Sequence, residues 1–287
     1  MTEIKERLIK TLSAFISFCE ENQLTYYGAC GTVLGAVRHH GFIPWDDDID
    51  IHMPRKDYQR LWELRKAIPK PYKVVDIQEL GYTAPFMKFM DTNSSIWEFE
   101  RKPYMLGVYV DIFPLDDCPN DFSRMKDLKK RLDKAFFSYF DTLDEYKANE
   151  LIYLLLHRNW SEFKRRYDIK RFNVRNNKIY HRQVLSLLEE LSQNEDGTFY
   201  VDLADVYLDF QVFKKEWFKQ SIDVPFENIT IKIPNGYDDY LHSLYGNYMQ
   251  LPSEDERISH HSRYFVSLDR GYTIKEARKL LKKRLMR

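Results

Sequence analysis

At 287 residues the chain can form one large domain or two modest ones, with enough length to bury a sizeable core. Its 44 basic and 44 acidic side chains leave no net field, which gives no basis for bulk attraction to nucleic acid. The three cysteines, Cys19, Cys30 and Cys118, fit neither a disulfide framework nor structural zinc, and no apolar run approaches the ~20 residues that cross a bilayer.

In chain order, Ile4, Leu8, Leu12, Phe15, Ile16 and Cys19 recur at helical spacing and predict a helix over residues 3–21. This amphipathic start lacks the apolar centre of a signal peptide. "LTYYGAC" reads as β-structure ending in a turn at Gly31-Thr32, and "VLGAVRHH" as a short helix. "IDIHM" alternates as a strand, after which Pro54 opens a helix to Ile68. "YKVVDIQ", "APFMKFMD", "SSIWEFE" and "LGVYVDIF" read as four separate strands. Residues 121–194 are charged and helical, with "LIYLLLHRNW" as the expected most buried piece. "ITIKIPNGYDDYLHSLYGNYM" reads as strand, turn and helix, and "TIKEARKLLKKRLMR" as a basic amphipathic helix. The expected organisation is a core over 1–120, a helical insertion or lobe over 121–196, and a return to the core over 197–287.

The stretch "GFIPWDDDIDIHMP" places Asp46, Asp48 and Asp50 on one face of an extended chain, with Asp47 and Ile49 on the other. Three carboxylates on one face repel and are pushed toward protonation unless solvated or metal-bound. A solvated acidic turn is the ordinary reading of such a run. Against it stands the half-buried alternation of Ile49, Ile51 and Met53. The Gly31-Thr32 turn also lies upstream, just before a helix whose first amides suit a phosphate. Hard oxygen ligands suit Mg2+ or Mn2+. "GVYVDIFPLDD" offers a further acid, Asp111, in mid-strand between Val110 and Ile112, where a lone carboxylate needs a partner.

"GTVLGAVRHHGFIPWDDDIDIHMPRKDY" resembles the signature of the LicD family. "VYVDIFPLD" and "YLHSLYGNYMQLPSEDERISHH" are similar to its second and third blocks. The resemblance implies an α/β fold with a nucleotidyltransferase-like mixed sheet flanked by helices, beside which the helical section is an addition. It implies metal-dependent transfer of a phospho-alcohol, such as phosphocholine, from a CDP-linked donor to a cell-surface glycan or its lipid-linked precursor. By motif position it makes Asp48 and Asp50 the metal pair and Asp111 the third acid, with Asp46 as a ligand or supporting group. It makes Gly31 and Thr32 the phosphate turn, and a late histidine, His260 or His261, a phosphate donor, with His261 taken for that role.

Arg38, on the short helix, is a surface residue or a phosphate ligand; Lys88 interrupts the apolar run "FMKFMD" and either snorkels or pairs with an anion, taken here as one of the substrate's. His39 and His40 are expected to be structural or solvent-facing, and Trp45 and Tyr27 to lie in the core. The last helix sets Ile274, Ala277, Leu280, Leu281 and Leu285 on one side, with Lys275, Arg278, Lys279, Lys282, Lys283, Arg284 and Arg287 around the rest. It is a docked terminal helix or a contact with the anionic inner face of the membrane of a cytoplasmic protein. Three other readings stay open: a nucleotidyltransferase that leaves a nucleoside monophosphate on its acceptor, a glycosyltransferase with an Asp-x-Asp metal site, and a glycan-binding module with a calcium loop.

Overall fold

The computed structural model describes residues 2–193, 197–206, 208–258 and 263–285, the side chains of 172–175 and 284–285 excepted. In chain order the elements are α1 (Glu3–Glu21), β1 (Tyr27–Gly28), α2 (Cys30–His39), β2 (Asp50–Pro54), α3 (Arg55–Glu63), β3 (Tyr72–Val75), β4 (Met87–Trp97) and β5 (Leu106–Cys118). There follow α4 (Phe122–Thr142), α5 (Ala148–Leu156), α6 (Trp160–Ser192), β6 (Phe199–Val201), β7 (Val212–Lys214), β8 (Ser221–Phe226), β9 (Ile229–Pro234), α7 (Tyr237–Tyr245), β10 (Phe265–Ser267) and α8 (Ile274–Leu285).

The architecture is the expected α/β one: a mixed sheet flanked by helices. Its main path runs β1-β2-β5-β4-β10, with β3 on β4 and β6-β7 extending from β5; β8 and β9 form a separate hairpin. β2 and β5 are parallel, while β4 runs antiparallel to β5. β5 alternates Val108, Val110 and Ile112, all fully buried, with Tyr109, Asp111 and Phe113, which line a cleft on the other face. β2 does the same: Ile51 and Met53 point into the core and Asp50 into the cleft.

α1 covers the core face through Leu8, Leu12, Phe15 and Cys19, at the spacing read from the sequence. Phe15 meets Phe89 of β4 edge-on at 5.6 Å between ring centroids. α4 and α6 pack on each other. Met125, Leu128, Phe136, Val184 and Leu191 from these two helices join the same hydrophobic cluster as the sheet.

Four local expectations are corrected. The helix after β1 begins at Cys30, so Gly31 and Thr32 are its first turn and not a turn before it; the sharp bend falls on Cys30, whose φ is 43°. "APFMKFMD" and "SSIWEFE" do not form two strands but fuse into β4. Its pairing with β5 shifts register between Asp91 and Ile96, where the Asn93 amide turns back onto Asp91 Oδ1. The helix after Pro54 stops at Glu63 and continues as a single tight turn, Leu64–Lys66. Finally, "LIYLLLHRNW" is not the most buried helical piece. Leu151 and Leu154 are buried, but Ile152, Tyr153, Leu155, Leu156 and Trp160 are exposed. α5 packs one side on α6 and leaves the other bare, so apolar composition misled where only half the helix has a partner.

Candidate active site

The cleft, about 560 Å³, opens where α2, the acidic run and the middle of β4 and β5 meet. Strand register builds its floor. Asp50 on β2 is the partner of Asp111 on β5, which in turn is the partner of Lys88 on β4. Two carboxylates and an ammonium therefore stand in a row across three neighbouring strands. Asp48, at the extended approach to β2, completes the group: Asp48, Asp50 and Asp111 each offer a carboxylate oxygen, all within 4.8 Å of one another. Asp46 lines the same cleft.

Asp47 turns away, as the alternation requires. Arg263 donates to its Oδ2 at 2.5 Å and to its carbonyl at 2.9 Å, so the run is pinned with the even-numbered acids facing the cleft. From behind, the Asp50 amide donates to Thr32 Oγ1 at 2.8 Å, and the Ala29 amide donates to the Asp50 carbonyl at 2.9 Å. Thr32 is buried and outside the cleft lining; its hydroxyl ties α2 to β2. Gly31 does line the cleft, and a Cβ there would come within 2.9 Å of Asp46 Oδ2.

Burial is the first cause that pushes the Asp50 carboxyl well above its usual range, with Asp48, Asp111, Asp205 and Asp46 adding repulsion. Burial also raises Asp111, to about 6, against the pull of Lys88. Lys88 Nζ donates to Asp111 Oδ1 at 2.6 Å, sits 3.9 Å from Glu98 and lies 3.6 Å over the Tyr109 ring. Within the fold the anion beside Lys88 is Asp111, with Glu98 next to it. An all-oxygen set under like-charge stress suits a hard divalent cation, which would relieve that stress. Asp48, Asp50 and Asp111 fit such an ion by donor chemistry and spacing alike.

Arg38 donates to the Tyr248 carbonyl at 2.6 Å, fastening α2 to the Tyr-Gly-Asn-Tyr-Met segment, and it does not line the cleft. His40 closes α2 in a left-handed conformation, and its carbonyl accepts from the Glu227 amide. Tyr27 is buried, with its hydroxyl on the Phe218 carbonyl. His260 and His261 lie outside the described residues.

Sequence reasoning missed Glu98, Tyr109, Asp205, Tyr245 and Arg263, all of which line the cleft. Tyr109 was within reach, since it shares the face of Asp111 two positions on. Asp205 carried a weaker signal: it is a buried acid three residues after Asp202 in an apolar stretch, and its amide donates to Asp202 Oδ1 at 3.0 Å.

The sequence model of the LicD/FKTN/FKRP nucleotidyltransferase domain matches residues 23–142. The chain carries a LicD-family domain. The matched segment contains the whole acidic run, Lys88, Glu98 and Asp111. The similarity continues beyond it: the lipopolysaccharide cholinephosphotransferase LicD of Haemophilus influenzae is 28% identical over 271 residues, covering 88% of this chain and 92% of that protein. An uncharacterised protein of Rickettsia prowazekii is 38% identical over 66 residues, 23% of this chain and 21% of its own length. In the matched segment Asp50 and Asp111 stand on sheet strands, with Asp48 just ahead of β2. Asp205, Tyr245 and Arg263 reach the cleft from outside that segment.

Proposed function

We propose that the chain is a LicD-type phosphotransferase that moves a phospho-alcohol, phosphocholine in the first instance, from a CDP-linked donor onto a lipopolysaccharide-type glycan. The convergence of Asp48, Asp50 and Asp111 within 4.8 Å carries the reading. The name of the Haemophilus relative, similar along nearly its whole length, supports the transferred group and the acceptor.

Asp48, Asp50 and Asp111 would hold Mg2+ or Mn2+, with Asp46 at the margin. Such an ion neutralises a diphosphate and lowers the pKa of an oxygen bound to it. The protein's own part is positioning and charge, the main demands of phosphoryl transfer. Lys88 engages Oδ1 of Asp111, so Oδ2 is the oxygen that would meet the ion or accept the proton of the attacking hydroxyl. Gly31 leaves room beside Asp46 for the donor phosphates. Phe86, Phe99, Tyr109 and Phe113 give the cleft an apolar wall against which the donor would exclude water.

The test is incubation with CDP-choline, Mg2+ and a lipopolysaccharide acceptor, followed by mass analysis of both products. Release of CMP with a gain of phosphocholine on the glycan is the expected result. Gain of a cytidylyl group would replace the proposal with nucleotidyl transfer, for which the same carboxylates serve. A parallel melting-temperature screen against CDP-choline, CDP-ribitol, CDP-glycerol and UDP-sugars identifies the donor, because a bound ligand stabilises the fold.

A further inference from the structure

The corner between α5 and α6 is the largest departure from the burial expected of this chain. Ile152, Tyr153, Leu155, Leu156 and Trp160 are 56%, 59%, 40%, 74% and 59% exposed within nine consecutive positions. Scattered apolar residues on a surface need no explanation, but a contiguous patch does. The corner is well formed: Leu151 and Leu154 seat α5 on α6, and Arg158 turns the chain with φ 55°. The Asn159 amide returns to the Leu154 carbonyl at 3.0 Å, while its side chain accepts from the Glu162 amide at the start of α6. The apolar side chains are therefore presented by a fixed turn and not by a frayed end.

Charge identifies the occupant. The chain as a whole is neutral, yet residues 157–171 carry Arg158, Lys164, Arg165, Arg166, Lys170 and Arg171 against Glu162 and Asp168. Arg158, Lys164, Lys170 and Arg171 are exposed. Glu162 is shared by Arg165 and Arg166, which leaves the cationic excess along the exposed side of α6. Aliphatic and aromatic side chains on an exposed corner, with tryptophan and tyrosine among them and cations behind, match the layering of an anionic lipid surface.

The terminal helix does not fill this role with its apolar side. Ala277 is fully buried against Trp97 and Phe265, and Ile274, Leu280 and Leu281 pack on the same cluster. Its lysines remain exposed. Arg278 pairs with Glu145 at 2.7 Å, fixing α8 to the segment that leads into α5.

We infer that the α5–α6 corner is a membrane-docking tip, which inserts Ile152, Tyr153, Leu155, Leu156 and Trp160 among the headgroups of an anionic bilayer. The inference stands apart from the catalytic reading. It is tested on the full chain by co-sedimentation with vesicles of phosphatidylglycerol and phosphatidylcholine, against phosphatidylcholine alone. The protein is expected to pellet with the anionic vesicles and to be released by salt. The double variant Leu156→Glu/Trp160→Glu, both positions exposed, should keep its melting temperature and lose at least about tenfold in vesicle affinity. Brominated lipid should quench tryptophan fluorescence in the wild type and lose most of that effect in Trp160→Phe. Failure to bind anionic vesicles, or binding that the double variant leaves intact, overturns the inference. So does a dimer in light scattering that the same double variant dissociates, since the patch then belongs to a second copy.

Discussion

Asp50 and Asp111 are register partners on the parallel strands β2 and β5, and the Asp111 amide donates to the Ile49 carbonyl at 2.9 Å. Main-chain hydrogen bonds thus hold two like charges side by side. The sheet supplies the stability that this arrangement costs, so changes at the acids separate stability from metal binding.

Asp48→Asn keeps the side-chain volume and removes the charge that repels Asp50 most. With metal chelated, its melting temperature should equal or exceed that of the wild type. The stabilisation gained on adding Mg2+ should shrink, and turnover should fall by several orders of magnitude, as for a member of a cooperating set. Calorimetry with and without Mg2+ reads the first two, and CMP release the third. Full turnover in Asp48→Asn would remove the metal reading.

The chelated protein should lose stability as the pH rises from about 4 to beyond 6. Asp111 titrates at about 6 in the folded state, against ~3.9 for an unfolded aspartate. A raised folded pKa means that the folded state holds the proton more tightly. Its contribution is therefore complete below the unfolded value and is lost on passing the folded one. The two values differ by an amount equivalent to roughly 3 kcal/mol. Urea unfolding across this range, compared with Asp111→Asn, checks it: the variant should show a flatter profile, and Mg2+ at neutral pH should flatten that of the wild type.

Lys88→Met should destabilise the chelated protein by about 3 kcal/mol, because it leaves the buried Asp111 without its cation and takes the nearby charge from the partly buried Glu98. Mg2+ should recover part of the loss. A variant that unfolds at the wild-type urea midpoint would show that Lys88 does not hold Asp111.

Gly31→Ala sets two effects against each other. The position is in the first turn of α2, where alanine favours the helix by up to ~1 kcal/mol. Its Cβ, however, would meet Asp46 Oδ2 at 2.9 Å. The expected variant melts within a few degrees of the wild type and binds Mg2+ and CDP-choline more weakly in titration calorimetry. Unchanged affinity for both would place Asp46 outside the site.

Much of the floor of the site was legible because period-2 alternation and a lone mid-strand acid are local signals. Ile49 and Ile51 against Asp50, and Val110 and Ile112 against Asp111, announce their faces without tertiary information. What neighbours which strand is non-local, so the Lys88–Asp111 contact could be anticipated only as an unnamed anion. Motif position puts Thr32 in a phosphate turn, and the sequence leaves Arg38 between a surface residue and a phosphate ligand. The partners they have in the fold, the Asp50 amide and the Tyr248 carbonyl, lie 18 and 210 positions away and carry no local signal. The α5 segment failed for the converse reason: hydrophobicity measures what a side chain avoids and not whether a partner is present.

The pairing of residue 50 with residue 111 also bears on the order of assembly. β2 and β5 are joined through β3 and β4, so the cradle for the cation closes only after a long loop has been drawn in, an entropically slow event. An ion that needs both strands has little to grip before the folding barrier is crossed. Mg2+ should consequently leave the refolding rate almost unchanged and slow unfolding instead, so that its stabilisation appears in stopped-flow traces as a longer lifetime of the native state.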